Sequence, residues 1–121
     1  MSTSVLIVDD DPAFRRLAQR LLAAFGLVVA GEAEDVASAI LAAGALHPDA
    51  VLVDVELPDG DGVTLAGLLT ALAWRPKVVL TSTDAEAVSP AAVLACRAEA
   101  FVPKDHLPNT PLNRLLGAGD A

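Results

Sequence analysis

A doubly wound α/β fold, a parallel sheet with helices on both faces, is what this 121-residue sequence predicts. Three observations carry the prediction. Apolar runs of strand length alternate with segments of helical period; each change of period is marked by Gly, Pro or an acidic residue; and the strand-length runs are continuous in Val, Leu and Ile. Right-handed crossovers cover both sides of every inner strand, so such strands carry no polar face.

The elements follow in order. "SVLIVD" is the first strand, after which Asp11 N-caps a helix with Pro12 at its first position. Phe14, Leu17, Leu21 and Phe25 recur at helical spacing, and Gly26 supplies the left-handed residue that ends the helix. "LVVAGE" is the second strand. A helix from about Asp35 carries Val36, Ile40 and Leu41 as its apolar stripe and closes at Gly44 before "HPDAVLVD", the third strand, which ends at Asp54. The loop "VELPDGDG" leads into an apolar helix from Val63 to about Trp74, and Pro76 separates it from the fourth strand, "KVVLTS". Ser89 and Pro90 open a fourth helix by the same cap-plus-proline device. "AFVPK" is a short fifth strand, where Pro103 is tolerable because an edge strand can spare one amide. Thr110 with Pro111 opens a last helix carrying Leu112, Leu115 and Leu116 as a core-facing stripe.

With 54% hydrophobic and 20% charged residues, residues 1–121 read as one compact soluble domain. Sixteen acidic residues against eight basic ones give a net charge of −8, which repels phosphate backbones and acidic lipid surfaces and argues against direct nucleic-acid or membrane binding. The single cysteine, Cys96, can neither form an internal disulfide nor alone hold a zinc, and reads as a small buried helix residue. "MSTS" lacks the basic region of a signal peptide, so the expected location is cytoplasmic. His47 and His106 read as solvated loop residues without metal-ligand spacing.

In a parallel sheet of this kind ligands bind beyond the carboxyl ends of the strands. Those positions hold Asp9 and Asp10 after the first strand, Asp54 after the third, Thr81 and Ser82 after the fourth, and Lys104 after the fifth. Three carboxylates brought together repel one another, and the repulsion is relieved by raised pKa values or by a bound cation. Oxygen ligands of this number favour Mg²⁺, which takes one or two carboxylates and leaves room for phosphate oxygens. Taken alone, "VDDDP" is also consistent with a helix cap at Asp11 and a solvated turn at Asp9 and Asp10.

Taken together, "VLIVDDDP", "VLVDVELPDGDG", "VVLTS" and "AFVPKD", in this order and spacing, resemble the receiver domain of two-component response regulators, and more closely the receivers that precede helix-turn-helix output domains. The resemblance spans essentially the whole chain. It implies the flavodoxin-like strand order 2-1-3-4-5 and a protein that is not an enzyme but a phosphoacceptor. Asp54 would take the phosphoryl group; Asp10 and Asp54 would bind Mg²⁺ directly, Asp9 through water, and the backbone carbonyl of Glu56 would be a further ligand. Thr81 would hydrogen-bond the phosphoryl oxygen and Lys104 would pair with it. Phe101 matches the switch aromatic, although an aromatic on a short strand also packs as plain core. Glu56 and Thr83 match positions that flank the hydrolytic water and set product lifetime. The implied partners are a sensor histidine kinase or phosphotransfer protein and, through the surface of the fourth helix, fifth strand and fifth helix, a downstream partner or a second copy in a homodimer. No output domain is visible, so the chain reads as a stand-alone receiver or a portion of a longer regulator.

Some features depart from that pattern. Asp105 follows Lys104 where many receivers have a proline, and it could pair with Lys104 and weaken its hold on phosphate. "CRAEAF" lacks the glycines usual before the fifth strand. Two rival readings remain: a degenerate receiver acting as a phosphorylation-independent binding module, and an aspartate-based phosphatase of the haloacid dehalogenase type, for which "DGDGVT" with Asp59 is the superficial motif. Against the latter, Asp59 does not follow directly on a hydrophobic strand.

Overall fold

A computed structural model describes residues 2–117. Five strands form one parallel sheet: β1 (Ser4–Val8), β2 (Val28–Ala33), β3 (Ala50–Asp54), β6 (Lys77–Ser82) and β7 (Ala100–Pro103). Two short strands, β4 (Glu56–Leu57) and β5 (Gly60–Asp61), pair antiparallel as a hairpin within the segment expected to be loop. The sheet order is β2-β1-β3-β6-β7, which is 2-1-3-4-5 when the hairpin is set aside, and every neighbouring pair is parallel. Five helices cover it: α1 (Pro12–Ala24), α2 (Val36–Leu46), α3 (Gly62–Thr70), α4 (Pro90–Cys96) and α5 (Leu112–Leu116).

The period-2 alternation of side chains sorts the strand residues into two apolar layers. Leu6, Val8, Val51, Val53, Val78 and Leu80 pack with Ala39 and Ala43 of α2, Leu65 and Leu69 of α3, and Cys96 of α4. Val5, Ile7, Leu52, Val79 and Val102 pack on the other face with Phe14, Ala18 and Leu22 of α1 and Leu112 and Leu116 of α5. Central β3 is buried along its whole length, whereas β7, which carries Pro103, is an edge.

Local signals placed most helix starts. Asp11 accepts the amide hydrogen of Ala13, Pro12 occupies the first position of α1, and Gly26 lies in the left-handed region at φ 79°. Ser89 caps α4 at the amide of Ala92, again with proline following. Four expectations need correction. In α1 Leu17 is exposed, and Ala18 and Leu22 face the sheet with Phe14. In α2 Ile40 and Leu41 are exposed and the fully buried residues are Ala39 and Ala43, with Val36 half-buried against the same layer. Gly44 does not end α2; His47 does, left-handed at φ 46°, exposed as expected and with its ring stacked on Trp74 at 3.9 Å and 8°. α3 ends at Thr70 rather than near Trp74.

The fifth helix also begins otherwise than expected. A 3-10 helix over Lys104–Asn109 precedes α5, and the Thr110 hydroxyl donates to the carbonyl of His106 instead of capping α5. His106 itself is exposed. Cys96 is buried, its thiol donating to the Val93 carbonyl.

Candidate functional site

Parallel register assembles the site. Val8 pairs with Val53, so Asp9 and Asp54 leave their strands side by side; Asp54 pairs with Thr81, Thr81 with Val102, and Ser82 with Pro103, which sets Lys104 at the same edge. The ladder runs on past the strand end through the Asp9 amide, which donates to Ala33 O, and the Val55 amide, which donates to Thr81 O. Carboxylate oxygens of Asp9, Asp10 and Asp54 lie within 4.8 Å of one another, with Asp9 and Asp54 buried and Asp10 exposed.

The Lys104 ammonium reaches into this cluster, 2.8 Å from Asp9 Oδ2 and 3.9 Å from Asp54 Oδ2. The expected Lys104–Asp105 pairing is not found: Asp105 points to solvent, 3.9 Å from His106, because Lys104 is drawn inward by two buried carboxylates while the 3-10 helix turns Asp105 outward. Burial pushes the Asp54 carboxyl up from 3.8 to about 6, reinforced by the charges of Asp9 and Asp10 and opposed by Lys104 and the Glu56 amide. A carboxylate whose charge is this poorly compensated fits a divalent cation, and three converging carboxylates are the oxygen donors Mg²⁺ takes. Thr81 is fully buried and its hydroxyl has no hydrogen-bond partner. A buried unpaired hydroxyl costs about 1–3 kcal/mol, so its place beside Asp54 calls for a ligand oxygen.

Gly62 brings the next loop back onto Asp54. Its amide donates to Val55 O at 2.7 Å, and a Cβ there would lie 2.2 Å from the Asp54 carbonyl oxygen, so only glycine fits this approach. Glu56, exposed on β4, donates its amide hydrogen to Asp54 Oδ1 at 3.5 Å. Thr83 is exposed just beyond β6, and Ser82, buried, accepts the Asp84 amide hydrogen. Phe101 is half-buried on β7 and closes an apolar concavity of about 470 Å³ with Val88, Pro90, Val93 and Leu94.

Residues not singled out by sequence also matter. Arg15 donates from Nη1 to the Asp9 carbonyl at 2.6 Å and from Nε to Glu32 at 2.7 Å, tying the loop after β1 to β2. Phe14 lies under Lys104, its ring centroid 4.2 Å from the ammonium nitrogen. The Arg15–Glu32 and Phe14–Lys104 contacts join elements distant in sequence, which helical spacing along one element does not show. Asp59 is not a nucleophile: its carboxylate accepts the amide hydrogens of Val36 at 2.7 Å and Ala37 at 3.1 Å, capping α2, and these bonds hold its pKa below the ordinary value. The phosphatase reading of "DGDGVT" fails on that ground.

Residues 5–115 match the family model for the response regulator receiver domain. The chain belongs to that family. The receiver is 37% identical over 109 residues to protein-glutamate methylesterase/protein-glutamine glutaminase 3 of Anaeromyxobacter dehalogenans, covering 88% of this chain and 32% of that protein. It is 39% identical over 103 residues to the DNA-binding transcriptional activator DevR/DosR of Mycobacterium tuberculosis, covering 84% of this chain and 47% of that protein. The chain thus spans less than half the length of either relative. Among solved structures it superimposes on the signal receiver domain of the putative response regulator NarL from Mycobacterium tuberculosis with a TM-score of 0.77 and 29% identity, covering 97% and 98% of the two chains. The receiver is therefore of the two-component type, and relatives with DNA-binding and with methylesterase outputs both resemble it. Among its described residues no helix is long and apolar enough to cross a membrane.

Proposed function

We propose that Asp54 is the phosphoacceptor of this receiver and that it draws its phosphoryl group from the phosphohistidine of a sensor histidine kinase or phosphotransfer protein. One observation carries the reading above the rest: the buried, unpartnered Thr81 hydroxyl in register beside Asp54, a donor held where a phosphoryl oxygen would arrive. A carboxylate oxygen of Asp54 forms the new P–O bond as the P–N bond breaks, and the electron pair of that bond stays with the donor imidazole. Poorly compensated charge on Asp54 keeps the nucleophile basic, while the Lys104 ammonium faces the incoming oxygens and the Thr81 hydroxyl donates to one of them. A magnesium ion held by Asp10 and Asp54, by Asp9 through water and by the Glu56 backbone carbonyl would supply positive charge against both the carboxylate and the phosphoryl oxygens.

Movement of Thr81 toward the phosphoryl group vacates space that Phe101 can occupy, biasing the face of α4, β7 and α5 toward a partner or a second copy of the chain. Glu56 and Thr83, at the mouth, then tune the access of water to the acyl phosphate. The domain itself acts as a cytoplasmic switch rather than an enzyme, and its net charge of −8 supports an output that does not run through direct nucleic-acid contact by this domain.

The test is incubation with acetyl phosphate and Mg²⁺, read as a mass gain of one phosphoryl group. The gain is expected in the parent and in Asp59→Asn, and its loss in Asp54→Asn. An unlabelled parent, or loss in Asp59→Asn alone, would overturn the assignment.

A further inference from the structure

Phe14 offers the Lys104 ammonium a third contact, in addition to the two carboxylates. It projects from the first turn of α1, is 8% exposed, and packs in the apolar layer shared with Val102 of β7, the strand that delivers Lys104. Its ring centroid lies 4.2 Å from Lys104 Nζ, which is also 2.8 Å from Asp9 Oδ2 and 3.9 Å from Asp54 Oδ2. A lysine ammonium sits on a flexible four-carbon stem, and two carboxylates at unequal distance leave it free to settle wholly on the nearer. The ring adds an attraction of its own, because its face carries negative quadrupole density and the lysine side chain, 17% exposed, is largely shielded from water. Leucine or methionine would fill much the same volume without that attraction. The chain has three phenylalanines and no tyrosine, and one of the three stands against the lysine of the site.

We propose that Phe14 is a positioning residue for phosphoryl transfer: its ring face holds the Lys104 ammonium poised between Asp9 and Asp54. The proposal rests on the phosphoacceptor reading above. Transfer that depends on charge already in place loses rate when the charge must first be gathered in, so the effect belongs to the rate and not to the fold.

The test replaces Phe14 with mono-, di- and trifluorinated phenylalanine, which keep the ring's shape while draining its face of electron density, and with leucine. Acetyl-phosphate labelling is expected to slow stepwise along the series, by about threefold to thirtyfold in total, with melting temperature nearly constant. In a Lys104→Met background Phe14→Leu is expected to cost no further rate. A flat fluorination series, or an equal loss from Phe14→Leu in both backgrounds, overturns the proposal and leaves Phe14 as core packing. A second readout needs no phosphodonor: the ε-methylene protons of Lys104 are expected to shift upfield under the ring current and to return toward ordinary values in Phe14→Leu, and an unshifted parent overturns the proposal. A parent that takes up no phosphoryl group overturns the phosphoacceptor reading instead, and the proton shift then decides alone whether the ring holds the ammonium.

Discussion

Two sets of aspartates lie within a few residues of one another and do opposite things. Asp11, Asp35, Asp59 and Asp61 each accept backbone amide hydrogens at the start of a helix, from Ala13, from Ser38, from Val36 and Ala37, and from Val63. Asp9, Asp10 and Asp54 converge on one another, while Asp9 Oδ1 accepts the Asp11 amide hydrogen and Asp54 Oδ1 that of Glu56. The contrast is sharpest between Asp54 and Asp59, five positions apart: burial raises the first to about 6, and the Val36 and Ala37 amides lower the second. Residue type is shared. Both sets accept backbone amide hydrogens, and what separates Asp9 and Asp54 from the caps is burial beside another carboxylate.

Asp54→Asn is expected to stabilise the metal-free protein at pH 7.5 by on the order of 2–3 kcal/mol, the cost of holding the carboxylate ionised at a folded pKa of about 6 against 3.8. A folded value above the unfolded one means that parent stability falls as pH rises from about 4 to 6, so the gain should vanish below about pH 4 in chemical denaturation. A gain independent of pH would show that Asp54 carries no charge penalty. Asp9→Asn should next weaken Mg²⁺ binding in calorimetric titration by about ten- to a hundredfold; unchanged affinity would remove Asp9 from the cation site. Asp61→Ala should lower unfolding free energy by about 1 kcal/mol through loss of the α3 cap, without change in Mg²⁺ affinity. Asp59→Asn should lower the melting temperature by a few degrees at pH 7, and the difference should shrink as pH falls below 3.8, since a depressed folded pKa stabilises only above the unfolded one. A melting temperature insensitive to Asp59 would dissolve the distinction between the two sets.

Much of this was legible along the chain wherever the cause is local. Asp11 with Pro12 and Ser89 with Pro90 started helices as their spacing predicted, since a cap acts on amides two or three residues away. Strand ends carried the site residues because parallel register delivers every carboxyl terminus to one edge. Misreadings arose where a partner lies far off. Helical period puts the apolar stripe of α2 on Val36, Ile40 and Leu41, and of these Val36 packs against the core while Ile40 and Leu41 are exposed and Ala39 and Ala43 are buried. Thr110 resembled a cap and instead bonds back to His106. Lys104 had Asp105 beside it in sequence and chose Asp9, 95 positions away, since a buried carboxylate attracts an ammonium more strongly than a solvated one.

The residues alone settled the alternation of strands and helices, the starts of α1 and α4, and which polar residues stand at the carboxyl edge of the sheet, because hydrophobic period and capping act over a few residues. Packing settled which aspartates are buried beside one another, where the ammonium of Lys104 rests and that Phe14 lies beneath it. Those outcomes depend on burial and on partners brought together by the packed sheet, and the cost of an unmet charge or hydroxyl is set by surroundings that no short window of residues contains.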